Sequence, residues 1–350
     1  ARAGKETKSP RYASLNGDWR FHWEARCEDC PRDFFRVNFD DSSWTTIPVP
    51  SNWEMHGFGT PIYVSAGYPF RMDPPRVTSE PPEEYTSFSE RSPIGCYRRD
   101  FSVPPNWHGQ RVFLHFAGVE SAFSVWINGE SVGYSQGSRT PAEFEVTEYL
   151  QPDRNRIAVL VHRWCDGSYL EDQDMWRLSG IYRDVYLYST PAIRISDFAV
   201  RTQLDDRYDN ATLVIDPKVD APPKADLCGW TIEAKLFDEQ SRSVFADRLV
   251  QAIEPVANRE YDAKLLVERT PQRGFPKFGW MRANVESPRK WTAETPYLYR
   301  LVLTLQAPDQ SIAEAVTCHV GFRELEFKGR QSLVKGNAIL YRVVHRQAKI

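Results

Sequence analysis

This 350-residue sequence lacks any apolar run that approaches the ~18–20 residues of a membrane-spanning helix. It also lacks an excess of charge, because 44 lysines and arginines against 47 aspartates and glutamates leave a net charge of −3. A strongly basic surface would be needed to attract nucleic acid or an anionic membrane. We therefore expect no nucleic acid and no membrane among its partners.

Cysteine and histidine are sparse as well, with six and seven residues respectively. Cys27 and Cys30 form a C-x-x-C pair, but no second pair and no histidine follow at the spacing of a zinc site. We therefore predict reduced thiols. The first ten residues are polar and begin without Met, so the start is expected to be processed or trimmed. The predicted compartment is the cytoplasm, with a removed signal peptide as the alternative.

What the sequence does have is a series of short strand-like segments. In 112–116 the apolar residues at 112, 114 and 116 would share one face of a strand. The segment 157–161 is apolar on both faces, as expected for a central strand of a sandwich. No long segment repeats its apolar residues every 3.6 positions. Residues up to 190 are therefore predicted to form an all-β sandwich.

A second set of strands follows the hinge-like sequence Ser189-Thr190-Pro191. Residues 231–237 alternate between polar and apolar positions, as in a strand with one buried face. About six or seven such segments between 193 and 320 fit an immunoglobulin-like sandwich. The whole chain is therefore predicted to be all-β.

The most informative segment is 163–184, which holds four closely spaced carboxylates between two tryptophans. These residues are Asp166, Glu171, Asp172 and Asp174, with Trp164 before them and Trp176 after them. Carboxylates accept hydrogen bonds from sugar hydroxyls, and an indole face stacks on the C–H face of a sugar ring. The segment therefore predicts a sugar-binding loop.

This segment resembles the end of the first domain of the large bacterial β-galactosidases, which are family-2 glycoside hydrolases. Further motifs match that family in the same order: LNGDW at 15–19, FDDSSW at 39–44, PVPSNWE at 48–54, GVESAF at 118–123, GYSQGSRTP at 133–141 and GFR at 321–323. The resemblance covers nearly the whole chain. Its motifs favour β-galactosidase over the β-glucuronidases and β-mannosidases of the same family.

The resemblance implies three parts. Residues 1–190 correspond to a jelly-roll sugar-binding domain, residues 191–320 to an immunoglobulin-like spacer, and residues 321–350 to the start of a (β/α)8 catalytic barrel. The segment 333–340 resembles the hairpin that leads into that barrel, and the match decays before residue 350. This decay predicts that the reading frame itself departs from the family or that the source gene is degenerate.

The implied activity is retaining hydrolysis of terminal β-D-galactosides, which uses two glutamates on the barrel. In the family the acid/base glutamate directly follows an asparagine, and this sequence contains no Asn-Glu dipeptide. The chain is therefore expected to be the non-catalytic sugar-binding and spacer part, inactive alone. Two alternatives remain: a stand-alone carbohydrate-binding protein, and an oligomerisation or complementation module whose partner is a second copy or a barrel fragment.

The resemblance also implies site residues. The position of Asp174 binds a sodium ion and sugar hydroxyls, Trp176 contributes to the same site, and Ser65 and Ala66 replace the Asn and Val that line the subsite in the family. Gln136 and Asp166 match positions that hold a peripheral divalent ion in some members. Sodium and magnesium are thus expected in the intact family enzyme, with no ion held tightly by this chain.

Purely structural roles for these residues remain open alternatives. Asp174 would then accept hydrogen bonds from backbone N–H groups of its own loop. Gln136 and Asp166 would make ordinary loop hydrogen bonds. Glu120 and Arg139 are expected to form ion pairs that hold loops between the sheets.

Overall fold

The computed structural model describes residues 9–65, 67–77, 90–171, 173–245, 247–257, 279–334 and 336–339. Within these ranges the regular structure consists of strands and short 3-10 helices, which confirms the all-β prediction. The chain divides into two compact units, the N-terminal unit Thr7–Thr190 and a C-terminal unit built mainly from Pro191–Ile350. No helix in the described part of the chain combines the length and apolar character that crossing a membrane requires.

The N-terminal unit contains twelve strands among its described residues. They are β1 (Tyr12–Ser14), β2 (Gly17–Glu24), β3 (Thr45–Val49), β4 (Ile62–Val64), β5 (Ile94–Phe101), β6 (Arg111–Phe116), β7 (Ala122–Ile127), β8 (Glu130–Gln136), β9 (Ala142–Glu145), β10 (Asn155–His162), β11 (Met175–Arg177) and β12 (Val185–Thr190). Short 3-10 helices occupy Cys27–Asp29, Trp53–His56, Pro105–Trp107, Thr147–Tyr149 and Asp166–Tyr169.

These strands form two antiparallel sheets and a separate two-stranded ribbon. The large sheet has the order β3-β2-β5-β10-β7-β8, the small sheet has the order β1-β12-β6-β9, and β4 pairs with β11. Trp19, Tyr97 and Val159 of the large sheet share one core with Leu114 and Leu187 of the small sheet. This arrangement is the predicted β-sandwich.

Strand β10 lies between β5 and β7 and is buried on both faces, as its apolar sequence predicts. Ile157, Val159 and Val161 face the core between the sheets. On the opposite face Ala158 belongs to a second cluster with Phe34. The segment 27–44 therefore covers the outer face of the large sheet.

The buried Arg98 on β5 fixes this covering segment. Its guanidinium donates hydrogen bonds to the backbone oxygens of Arg36 (2.7 Å) and Phe39 (3.0 Å) and to the carboxylate of Asp41 (2.6 Å). One side chain thus satisfies backbone groups that have no partner in a sheet.

The C-terminal unit contains a further ten strands in its described residues. They are β13 (Arg194–Leu204), β14 (Ala211–Asp220), β15 (Thr231–Phe237), β16 (Leu249–Ala252), β17 (Met281–Val285), β18 (Tyr299–Gln306), β19 (Ile312–Val320), β20 (Leu325–Lys328), β21 (Gln331–Val334) and β22 (Asn337–Ala338).

A three-stranded sheet (β13-β14-β17) and a four-stranded sheet (β16-β15-β18-β19) enclose the core of the C-terminal unit. Leu213 and Ile215 of the first sheet share this core with Leu301 and Leu303 of the second. This is the predicted second sandwich. Strands β20, β21 and β22 form another sheet, and the predicted hairpin at 333–340 begins with Leu333 opposite Ala338 and ends outside the described residues.

The packing of Gly95 on β5 generates a stability prediction. A Cβ atom there would lie 2.6 Å from the ring of Trp53 and 2.8 Å from the ring of Phe21, and both rings are completely buried. We expect Gly95→Ala to lower the free energy of unfolding of the N-terminal unit by ~1–3 kcal/mol, because the core has no room for the methyl group. Urea denaturation followed by tryptophan fluorescence measures this change.

Gly167→Ala is the matched control. Its Cβ would meet nothing closer than the Sγ of Cys165 at 3.4 Å, an ordinary contact. We expect the control to change the free energy of unfolding by less than ~0.5 kcal/mol. Equal losses in the two variants would contradict the packing argument.

Candidate functional site

The ribbon of β4 and β11 presents two aromatic rings and one carboxylate to solvent. Tyr63 lies opposite Trp176 in the register, and their ring centroids are 5.6 Å apart with the planes inclined by 56°. Tyr63 is 46% exposed and Trp176 is 43% exposed. The exposed Asp174 accepts a hydrogen bond from the hydroxyl of Tyr63. Tyr63, Asp174 and Trp176 are called the ribbon face below.

Local sequence explains why these side chains face outward. Side chains alternate along a strand, so Ile62 and Val64 point to one side and Tyr63 points to the other. Ile62 and Val64 are buried with Phe70, Val77 and Trp164 in a small apolar cluster. This cluster packs against the side of the ribbon opposite Tyr63 and leaves the ribbon face exposed.

Ser65, one of the predicted site residues, is exposed and follows β4 directly. Val64 pairs with Met175, so Ser65 and Asp174 leave the ribbon at the same end. The structure therefore brings Ser65 to the region of Asp174 and Trp176. Ala66 lies outside the described residues.

The loop that carries Asp174 is held at both ends by hydrogen bonds. The guanidinium of Arg177 donates to the backbone oxygens of Glu171 and Gln173, the latter at 3.1 Å. The carboxylate of Glu171 accepts from the backbone N–H (2.8 Å) and the hydroxyl (2.6 Å) of Ser138. Of the predicted acidic residues, Glu171 therefore has a structural role, whereas Asp174 faces solvent.

The completely buried Arg163 ties the two strands of the ribbon together. Its guanidinium donates to the backbone oxygen of Thr60 (2.5 Å), which precedes β4, and to that of Arg177 (3.4 Å), which ends β11. It also lies 3.6 Å from the buried carboxylate of Glu54, which accepts a hydrogen bond from the N–H of Ser179 (2.9 Å).

Two carboxyl groups in this region have strongly raised pKa values. Burial raises the pKa of Glu54 to about 7, although the charge of Arg163 opposes this shift. Burial also raises the pKa of Glu120 to about 7 against the attraction of Arg139, whose Nη2 lies 2.8 Å away. The expected ion pair between Glu120 and Arg139 is present.

Gln136 and Asp166 lie near each other at a different place. The amide nitrogen of Gln136 is 3.7 Å from where a Cβ on Gly167 would stand, and Asp166 accepts a hydrogen bond from the N–H of Gly167 (2.9 Å). The hydroxyl of Tyr134 donates to the amide oxygen of Gln136 (2.8 Å). Both side chains thus make local hydrogen bonds, Gln136 along β8 and Asp166 within its 3-10 helix.

Neither predicted ion finds a complete set of ligands in the described residues. Asp174 offers one carboxylate next to the hydroxyl of Tyr63, and Gln136 with Asp166 offers one amide and one carboxylate. Divalent ions of this class take about six or more oxygen ligands. Within the described ranges no three His, Cys, Asp or Glu side chains are placed to hold a metal.

Sequence reasoning missed Tyr63 and Arg177. The signal for Tyr63 was present, because an aromatic residue between two apolar residues in a strand lies on the opposite face from both. Arg177 gave no such signal, since its role depends on hydrogen bonds to backbone oxygens four and six residues away in a loop.

Comparison with known families decides the classification. Residues 12–191 match the family described as glycosyl hydrolases family 2, sugar binding domain. Residues 193–323 match the family described as glycosyl hydrolases family 2. The first match alone covers more than half of the chain.

The chain belongs to glycosyl hydrolase family 2. This confirms the resemblance seen in its motifs.

Two curated relatives illustrate the relationship. The chain is 41% identical over 335 residues to a β-galactosidase of Priestia megaterium and 38% identical over 332 residues to a β-galactosidase of Psychromonas ingrahamii. The alignments cover 96% and 95% of this chain but only 30% of each relative. The chain therefore spans less than a third of the length of these relatives.

Solved structures share this family-2 fold. A β-glycosidase from Bacteroides vulgatus gives a TM-score of 0.67 at 22% identity, over 94% of this chain and 36% of that one. A β-glucuronidase from Bacteroides uniformis gives 0.67 at 22% identity, over 93% and 34%. At 22% identity, these structural similarities show that the chain shares its fold with the two proteins.

The raised pKa of Glu120 predicts how stability depends on pH. In the unfolded chain a glutamate ionises near pH 4.5, whereas the folded protein keeps the Glu120 proton up to about pH 7. The contribution of the protonated Glu120 to the free energy of unfolding is therefore complete below about pH 4.5 and is lost as pH rises through 7. We expect the free energy of unfolding of the N-terminal unit to fall between pH 5 and 7. Glu120→Gln should reduce this slope by up to ~1.4 kcal/mol per pH unit.

Denaturant unfolding at several pH values measures the slope. Glu54 titrates in the same window and should leave a residual slope in Glu120→Gln. The double variant with Glu54→Gln should lose this fall between pH 5 and 7 and retain the opposite slope of His162, whose pKa is lowered by burial. A slope that is unchanged in Glu120→Gln would show that the carboxyl is already ionised in the folded protein.

Proposed function

We propose that this chain is the sugar-binding, non-catalytic part of a hydrolase that cleaves terminal β-D-galactosides. The ribbon face is the observation that carries the proposal. It combines two exposed aromatic rings with one exposed carboxylate on a base fixed by apolar packing and by Arg163.

The chemistry of the ribbon face suits a pyranose. The ring of Trp176 or Tyr63 can stack on the C–H face of a sugar, and such contacts contribute apolar area with little loss of side-chain entropy. Asp174 has two carboxylate oxygens with about four acceptor positions, and the Tyr63 hydroxyl occupies one of them. The remaining positions can accept hydrogen bonds from sugar hydroxyls.

The described carboxylates support binding rather than bond cleavage. A retaining glycosidase needs two carboxyl groups about 5–5.5 Å apart on either side of the glycosidic bond. The ribbon face contributes one carboxylate, Asp174, and the nearby Glu171 is engaged by Ser138. This fits an arrangement in which the catalytic pair lies in another part of the complete hydrolase.

The choice of a galactoside rests on the two curated relatives, both of which are β-galactosidases. In the complete hydrolase we assign Asp174 to sugar hydroxyls and to one ligand position of a sodium ion. Ser65, at the same end of the ribbon, would contact the sugar or its leaving group. Gln136 and Asp166 would hold a peripheral magnesium ion together with ligands from elsewhere.

The ribbon face also favours a second candidate, a stand-alone carbohydrate-binding protein, because all three of its residues belong to this chain. Calorimetric titration of the purified chain with galactose and lactose separates the two proposals. We expect no measurable heat for the hydrolase part alone, since one face of a sugar would stay in water. Millimolar or tighter binding that Trp176→Ala abolishes would instead establish the stand-alone protein.

The C-terminal unit offers an observation for the third candidate, a module that docks a second copy or a complementing barrel. Leu325 and Phe327 point to the same side of β20 and are 49% and 77% exposed. Contiguous exposed apolar patches mark interaction surfaces, and we propose that these two residues form part of one. This role is compatible with sugar binding, because it uses a different unit of the chain.

A chimeric enzyme tests the main proposal. This chain would replace the aligned part of the Priestia megaterium β-galactosidase, and hydrolysis of a chromogenic β-galactoside would be followed. We expect the chain alone to give no turnover and the chimera to be active. Asp174→Asn and Trp176→Ala should lower kcat/KM of the chimera by at least ~10-fold, because each removes about 1.4 kcal/mol or more of transition-state binding.

Trp280→Ala is the matched control, since Trp280 in the C-terminal unit is also 43% exposed. We expect it to leave kcat/KM unchanged. Turnover by the chain alone that depends on Asp174 would place catalysis in these residues and overturn the proposal. Equal losses from Trp176→Ala and Trp280→Ala would mean that the ribbon face does not contact the sugar.

A further inference from the structure

Three cysteines outside the ribbon face lie together on the outer face of the large sheet. Cys27 and Cys30 come from the covering segment, and Cys96 lies on β5 and is completely buried. The Sγ atoms of Cys30 and Cys96 are 3.7 Å apart. Cys27 is turned toward β10 instead, with its Sγ 3.9 Å from Nδ1 of His162.

The partner of the C-x-x-C motif is therefore a residue 66 positions away from Cys30, which sequence spacing did not reveal. All six cysteines are free thiols. Because the described residues contain no metal-binding group of three or more His, Cys, Asp or Glu, the pair is best understood through thiol chemistry. An S–S bond is about 2.03–2.05 Å long, so the two sulfurs need to approach by roughly 1.7 Å.

The two thiols of this pair differ in reactivity. Cys30 is partly exposed, whereas Cys96 has no contact with solvent. The hydrogen bond with the Cys96 thiol lowers the pKa of Cys30, and the same bond together with burial raises the pKa of Cys96. Peroxides react with the thiolate and need access to it. Exposure and the lowered pKa therefore both make Cys30 the more reactive thiol of the pair.

We propose that Cys30 and Cys96 form a peroxide-reactive pair, in which Cys30 is oxidised first and Cys96 then closes a disulfide with it. The Cys30 thiolate attacks one oxygen of hydrogen peroxide, the O–O bond breaks, and the other oxygen leaves as hydroxide and takes a proton to become water. The product on Cys30 is a sulfenic acid. The Cys96 sulfur loses its proton, attacks the sulfenic sulfur and expels hydroxide, which becomes a second water. The two sulfurs lose two electrons, and the peroxide gains them.

The disulfide would join the covering segment to β5. Arg98, on the same strand, already fixes this segment through Arg36 and Asp41. Since that contact holds the segment in place before oxidation, the two sulfurs stay close without any rearrangement of the sheet. The expected structural effect is therefore local, and the ribbon face is not part of it.

Titration of the purified chain with hydrogen peroxide tests the proposal. Free thiols would be counted before and after treatment, and linked peptides would be identified by mass spectrometry without reduction. We expect the wild type to lose two thiols, to recover them with dithiothreitol and to yield a peptide that links Cys30 to Cys96. Cys30→Ser should lower the yield of this product at least 10-fold. Cys96→Ser should leave a sulfenic acid on Cys30 that dimedone traps.

Cys27→Ser and Cys228→Ser are the matched controls, because the first removes the other cysteine of the motif and the second removes an exposed thiol. Both should still form the link between Cys30 and Cys96. A link between Cys27 and Cys30, or oxidation confined to Cys228, would overturn the proposal. If Cys96→Ser fails to fold, the partly exposed Cys30→Ser and the linked peptide of the wild type still decide the question.

Discussion

The burial of β10 on both faces is the constraint on which the N-terminal unit depends. One face of the strand completes the core between the sheets, and the other face requires the covering segment to exclude water. The chain continues from β10 into Arg163, which donates a hydrogen bond to the residue Thr60 before the ribbon, and Trp164, which packs against the buried side of the ribbon. An apolar strand placed at the centre of the sheet therefore determines the position of the covering segment and of the ribbon face together.

Buried arginines fix the positions of irregular segments by donating hydrogen bonds to their backbone oxygens. Arg98 and Arg163 are almost completely buried, and such charges are costly unless they are paired and hydrogen-bonded. Arg98 donates to backbone oxygens of the covering segment and to the carboxylate of Asp41. Arg163 donates to the backbone oxygens of Thr60 and Arg177 and forms an ion pair with Glu54 at 3.6 Å. Arg177 does the same for the loop of Asp174. The loops are thus positioned by side chains rather than by strand pairing.

Local pattern was enough to predict some of these features and not others. The two-faced apolar sequence at 157–161 predicted a central strand, which agrees with β10. The alternation at 231–237 predicted a strand with one buried face; β15 buries Ile232, Ala234 and Leu236 as expected, but Glu233 on the other face is buried as well. The acidic pattern alone did not separate Asp174, which is exposed, from Glu171, which is held by Ser138. Pairs distant in sequence, such as Tyr63 with Asp174 or Cys30 with Cys96, leave no trace in spacing, because only the packed sheets bring them together.

A carboxyl with a pKa near 7 in a family-2 chain invites the interpretation that it is a general acid, and Glu54 and Glu120 both have this property. Geometry argues against that role. Both side chains are buried, and each faces a guanidinium, so neither can reach a glycosidic oxygen. The same burial that raises their pKa values also shields them from solvent. Asp174 shows the opposite combination, since it is exposed next to two aromatic rings. Solvent exposure and perturbed titration thus belong to different residues here, which is compatible with the proposal that this chain binds sugar while other residues perform the chemistry.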